Sequence, residues 1–172
     1  MNTNILTATG LQLFPKDRKA ALVATLSSVV GVTVFILILD GLLFRHALPD
    51  GYEALFTSPL LPRTPLFFAA SMLEEIQYRL LLTTILVVLA TAIHRKPLQP
   101  WAFLLIIAGV QLFNVWVPVS NYPLYGSLRY WLVGSVWGVL YWRHGFLSAL
   151  AGHATTHLLL DPTLLGVLLL TQ

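Results

Sequence analysis

Residues 21–44 form an unbroken run of 24 residues with a single charged side chain, Asp40. A bilayer core about 30 Å thick is crossed by about 20 helical residues, so a run of this length reads as a membrane helix. The basic cluster Lys16, Arg18 and Lys19 precedes it. The run is too long for the apolar stretch of a cleaved signal peptide, so it reads as a retained first span. Further apolar runs cover residues 65–93, 101–117, 128–142 and 146–160. The second would reach about 43 Å as a helix and must tilt or begin in the interface. Pro118 ends the third, and Asp161-Pro162 is read as breaking the fifth. Residues 1–15 read as a short interfacial segment, 119–127 as a loop with Asn121, Pro123 and Gly126, and 163–172 as an apolar helix too short to span alone. The expected fold is all-α, a polytopic transmembrane helical bundle of five to six membrane helices, forming one integral membrane domain over 1–172.

Composition agrees. Only 10% of residues are charged, against roughly 25% in a soluble domain. The net charge of +3 does not mark a nucleic-acid binder, because the ten Lys and Arg are scattered, mostly at run ends. With the N-terminus cytoplasmic, Lys16, Arg18, Lys19, Arg95, Lys96 and Arg143 fall inside, and Arg45, Arg63 and Arg129 outside with Asp50 and Glu53. That asymmetry obeys the positive-inside rule. Trp101, Trp116, Trp131 and Trp142 lie near run ends, as interfacial anchors do. Cysteine is absent, which excludes disulfides, a thiolate nucleophile and a cysteine metal site.

Against this background the stretch Glu74-Glu75-Ile76-Gln77-Tyr78-Arg79 stands out inside the second run. Each charge at mid-span costs about 2.5–3.5 kcal/mol on insertion scales, so the carboxylates need compensation. Glu75 and Arg79 are i,i+4 with the acid first, the favourable order for an ion pair. Glu74 points about 100° away and is left as the freer carboxylate. The fifth run carries His153 and His157, also i,i+4, among Ser148, Ala149, Ala151, Gly152 and Ala154. Small residues of this kind let helices approach closely. His153 and His157 lie about 12 and 18 Å up their helix, and Glu74 about 14 Å below the outer end of its own. A shared site is therefore expected. Gln111 and Asn114 add amides that need partners when buried, and Gly109, Gly134, Gly138 and Gly152 leave room for a water-filled cavity. Asp40 is expected to reach the outer interface as a structural residue.

A desolvated glutamate beside imidazoles supports water activation, with imidazole or amide N–H groups donating to the developing oxyanion. No serine stands in a nucleophile motif. Zinc held by His153, His157 and Glu74 is the metal alternative. Metal-free chemistry is preferred to it, because His-x-x-x-His lacks the adjacent glutamate of the His-Glu-x-x-His helix.

These motifs resemble a known family. Glu74-Glu75-x-x-x-Arg79 is similar to the first motif of the CAAX-protease and bacteriocin-processing (Abi) intramembrane proteases. The stretch from Tyr141 through Gly145 to His153-Ala-Thr-Thr-His157 resembles their last motif, a glycine-entered helix with His, three residues, then Asn or Asp. The likeness covers roughly 65–160. It implies a glutamate-type intramembrane endopeptidase with Glu74 as base, Glu75 and Arg79 as its support, and His153 and His157 on the oxyanion side. The chain departs from the family pattern at His157, where Asn or Asp is usual. It departs again in the middle motif, where Asn114 of Val110-Gln-Leu-Phe-Asn114 stands in place of histidine. Asn114 can position water but cannot take its proton. No cofactor is expected, and the resemblance further implies a bacterial inner-membrane location and a membrane-anchored or exported peptide substrate. Because Glu74 lies nearer the outer end of its helix, the substrate segment is expected on the non-cytoplasmic side. A prenylated substrate is disfavoured. The rival expectations are a non-catalytic membrane protein that uses the cluster for partner binding, and a proton-coupled carrier using Glu74 and His153.

Overall fold

Helices carry almost all of the residues that the computed structural model describes, which are 9–48, 52, 57, 59–115 and 123–170, and no strand occurs among them. The rods are α1 (Arg18–Leu43), α2 (Leu60–His94), α3 (Pro100–Val115), α4 (123–144) and α5 (Phe146–Leu170). Asp17 starts α1 by accepting the Ala20 N–H at 3.0 Å, a side-chain cap for an otherwise orphan donor. Arg95, at φ 53°, ends α2 in the left-handed conformation that commonly closes helices.

Three rods, α1, α2 and α5, are long and apolar enough to cross a membrane. The described part of α3 has 16 residues, about 24 Å at the helical rise. In α4 the apolar pattern is interrupted by Ser127, Arg129 and Ser135. Among the described residues, length and composition thus mark three spans of the five to six expected.

α1, α4 and α5 share a core of Val32, Ile36, Trp137, Leu140, Leu160, Leu164 and Leu168. A second cluster, Leu11, Val87, Phe103, Tyr141 and Ala149, ties α2 and α3 to the basic end of the bundle. Large apolar side chains such as Leu26, Val30, Leu66, Phe113 and Leu169 point outward.

Two expected breaks are helical. α5 continues through Asp161-Pro162 to Leu170. Thr163 Oγ1 donates to the carbonyls of Leu159 and Leu160 at 2.7 and 2.9 Å, side-chain help of the kind that lets an apolar helix tolerate proline. Residues 163–170 are accordingly not a separate helix. Within the expected loop 119–127, Pro123–Gly126 is helical and Ser127 continues the rod. Asn121, Pro118, Trp116, Asp50 and Glu53 lie outside the described residues, as do residues 1–8.

The described end of the N-terminal segment has a structural task. Gln12 and Leu13 carbonyls accept from Phe146 and Leu147 N–H at 3.0 and 3.1 Å, satisfying the first donors of α5. Gly145 makes the turn between α4 and α5 at φ 91°. A Cβ there would sit 3.1 Å from Gln12 O and 3.2 Å from Leu13 O. Gly145→Ala is expected to cost about 1–3 kcal/mol, read as a lowered thermal midpoint in detergent; an unchanged midpoint would remove this account of the turn.

Candidate functional site

The helices loosen from α to π geometry at three places, and each coincides with a charged residue. Leu39–Leu43 holds Asp40, Glu75–Thr83 holds Glu75 and Arg79, and Ser127–Leu132 holds Arg129. Such turns shift hydrogen bonding to i→i+5 and concentrate at functional positions. In α2 two hydroxyls follow that spacing: Thr83 Oγ1 donates to Tyr78 O at 2.7 Å and Thr84 Oγ1 to Arg79 O at 3.2 Å.

Glu75 lies at the centre of the site, with no exposure. Its Oε1 is 3.3 Å from Arg79 Nη1 and 3.0 Å from His153 Nδ1, so the ion pair expected at i,i+4 is joined by an imidazole from α5. Arg79, equally buried, donates through Nη2 to Gly134 O at 2.8 Å. A Cβ at Gly134 would run into the amide end of the Gln111 side chain, which would have to move aside. A carboxylate oxygen accepts hydrogen bonds, so in the contact with Glu75 the His153 ring donates from Nδ1 and its other nitrogen, Nε2, is not engaged by Glu75.

Stacking orients both imidazoles. Arg63 lies 4.8 Å over Phe67, Phe67 stacks on His157 at 5.3 Å, His157 on His153 at 5.3 Å, and His153 on Trp137 at 5.9 Å. No group of three His, Asp or Glu among the described residues is arranged to hold a metal. Face-to-face rings do not converge their nitrogen lone pairs on one point, so the zinc set would require the rings to turn.

Glu74 takes a different direction from Glu75. It is half-buried, makes no ion pair among the described residues, and lines a cavity of about 260 Å³ with Asn114, Arg129, His153 and His157. At roughly 30 Å³ per water this is room for several. The structure thus gathers Glu74, Arg79, Asn114, His153 and His157 around one space and sets Glu75 behind it. Asn114 Nδ2 makes a long, 3.4 Å contact to Gln111 Oε1.

The surprises are the arginines. Arg45, Arg63 and Arg129, read from sequence as outer-face charges, all bind parts of the bundle. Arg45 donates to Leu168 O at 3.0 Å, near the end of α5, and Arg63 pairs with Asp161 at 2.6 Å. Arg129 approaches Asp40 at 3.3 Å and donates to Tyr52 OH at 3.1 Å. Asp40 does not reach an interface: it has no exposure and also accepts from Tyr52 and Tyr125 at 2.9 and 3.2 Å. Burial pushes the Tyr52 phenol up from its ordinary pKa, so it remains a donor to Asp40. Two acids and two arginines stranded near the same ends of apolar runs were the available signal, and they pair across helices distant in sequence. Two tryptophans also do more than anchor: Trp131 Nε1 donates to Ala108 O at 2.9 Å and Trp142 stacks on Phe103 at 4.8 Å.

No family model matches the chain, and no curated protein or solved structure matches it significantly.

Proposed function

We propose that the chain is a membrane-embedded peptidase that hydrolyses a membrane-associated substrate with water activated by Glu74. The observation that carries this reading is the placement of Glu74, free of an ion pair among the described residues, on a water-sized cavity shared with His153, while Arg79, which also lines that cavity, is paired with Glu75 set behind it. A carboxylate facing a cavity with room for water, beside an imidazole, is placed to accept a proton from that water.

In the proposed reaction, water is held between Glu74 and His153 Nε2. Its oxygen attacks the scissile carbonyl carbon while Glu74 takes its proton. The oxyanion that forms is met by N–H donors from His157 and Asn114 and by the charge of Arg129. The C–N bond then breaks as Glu74 returns the proton to the leaving amine, giving an amine and a carboxylic acid that keeps the second proton of the water. Preorganisation supports these roles: the stack from Phe67 to Trp137 and the Glu75 bond limit rotation of the His153 ring. Glu75-bound His153 also offers a proton acceptor where Asn114 replaces the family histidine.

The resemblance to the CAAX-protease and Abi motifs supports the same class, with a bacterial inner-membrane setting, α3 and α4 as further membrane elements and a cytoplasmic N-terminus. The substrate would be a membrane-anchored or exported peptide. The test compares new peptide termini in membranes from cells expressing the unaltered chain, Glu74→Gln or His153→Ala. Termini that appear only with the unaltered chain are expected. The same termini in all three would overturn the reading.

A further inference from the structure

At the basic end of the bundle, where Lys16, Arg18 and Lys19 lead into α1 and Arg143 and His144 close α4, two cavities adjoin. The first, about 370 Å³, is a trough between α1 and α4. Ala24 and Ser28, one helical turn apart on the same face of α1, keep it open, and Leu132, Val136 and Val139 of α4 wall it. The second, about 300 Å³, is lined by Lys16, Gln12 and Trp142. Arg143 and His144 line both, so the apolar trough runs into a polar, basic mouth.

The charge there is unbalanced. Asp17 is the acid lining the mouth, and its Oδ1 is engaged in capping α1 through Ala20 N–H. Lys16 and Arg143 are exposed. The Arg143 guanidinium lies 4.5 Å over the Trp142 ring, an amphipathic platform suited to headgroup depth. A fitting occupant has a negatively charged head and an apolar tail reaching between two helices. We propose that this groove binds an anionic glycerophospholipid, with one acyl chain in the α1–α4 trough and the phosphate at Lys16, Arg143 and His144. Charge complementarity selects an anionic over a zwitterionic lipid. The proposal is independent of the hydrolytic reading, since the groove shares no residue with the cavity of Glu74 and His153.

The test uses the full chain in detergent, titrated with phosphatidylglycerol or phosphatidylcholine of matched acyl chains and read as bound lipid by native mass spectrometry. Phosphatidylglycerol is expected to bind at least about tenfold more tightly, two basic contacts being worth about fivefold each. Lys16→Ala with Arg143→Ala should weaken phosphatidylglycerol about 25-fold and leave phosphatidylcholine unchanged. Ser28→Leu, which fills the trough and spares the mouth, should weaken the lipid while a retained thermal midpoint shows an intact fold. Equal affinity for the two lipids, or unchanged phosphatidylglycerol binding in the double variant, overturns the proposal. Displacement by inorganic phosphate at the lipid's own concentration would show a free-anion site and overturn it equally.

Discussion

Replacing Glu74 with glutamine is expected to lower hydrolysis by about 10²–10⁴-fold, the range associated with loss of a general acid–base group. Folding should be unaffected. Glutamine keeps the size of glutamate and can still hydrogen-bond water, but it cannot take the proton. Since Glu74 makes no ion pair among the described residues and is half-buried, its neutral counterpart leaves no cation stranded. Glu75→Gln is the informative contrast. It reduces the acceptor strength facing Arg79 and His153, and so is expected to lower the thermal midpoint and the rate together. Rates on a substrate identified from its new termini, beside thermal unfolding in the same detergent, separate the two glutamates. Full activity in Glu74→Gln would remove Glu74 from the reaction.

Arg79→Leu is expected to destabilise the fold by about 3–5 kcal/mol, the cost of breaking a buried charge pair from one side. The substitution leaves Glu75 fully buried with His153 as its remaining polar partner and deprives Gly134 O of its donor. Surface screening gives no relief, because neither Glu75 nor Arg79 is exposed. Adding Glu75→Gln should recover part of the loss, so that the double variant is less damaged than the sum of the single ones. Such non-additivity is expected of residues in one network. Denaturant or thermal unfolding of the four forms measures it. A loss below about 1 kcal/mol for Arg79→Leu, in the range of an exposed pair, would show that neither the pair nor the Arg79 bond to Gly134 O of α4 supports the fold.

Local spacing made part of the site legible. Glu75 and Arg79 pair because four helical residues return to the same face, and that return survives the wider π turn. The divergence of Glu74 from Glu75 follows from the angle between successive residues, and it takes Glu74 to the cavity. His153 and His157 stack for the same reason as the Glu75–Arg79 pair. The bond from His153 to Glu75, by contrast, joins residues 78 positions apart. No periodicity within either helix encodes it. Arg129 was likewise hidden: its role depends on Asp40, 89 positions earlier, and on Tyr52 between them. The break placed at Asp161-Pro162 failed because proline's local effect was opposed by Thr163 and by packing of Leu160, Leu164 and Leu168 in the core.

By itself the sequence determined that the chain is helical, that it has runs long and apolar enough to cross a membrane, and that mid-run charges need compensation. These properties depend on composition and on contacts within about one helical turn. Only the tertiary structure decided which charges neutralise which, that Glu75 rather than Glu74 holds His153, and that the arginines near run ends turn into the bundle. The physical reason is the low dielectric between packed helices. Buried charge there favours whichever partner lies nearest in space, and that partner is set by how the rods meet.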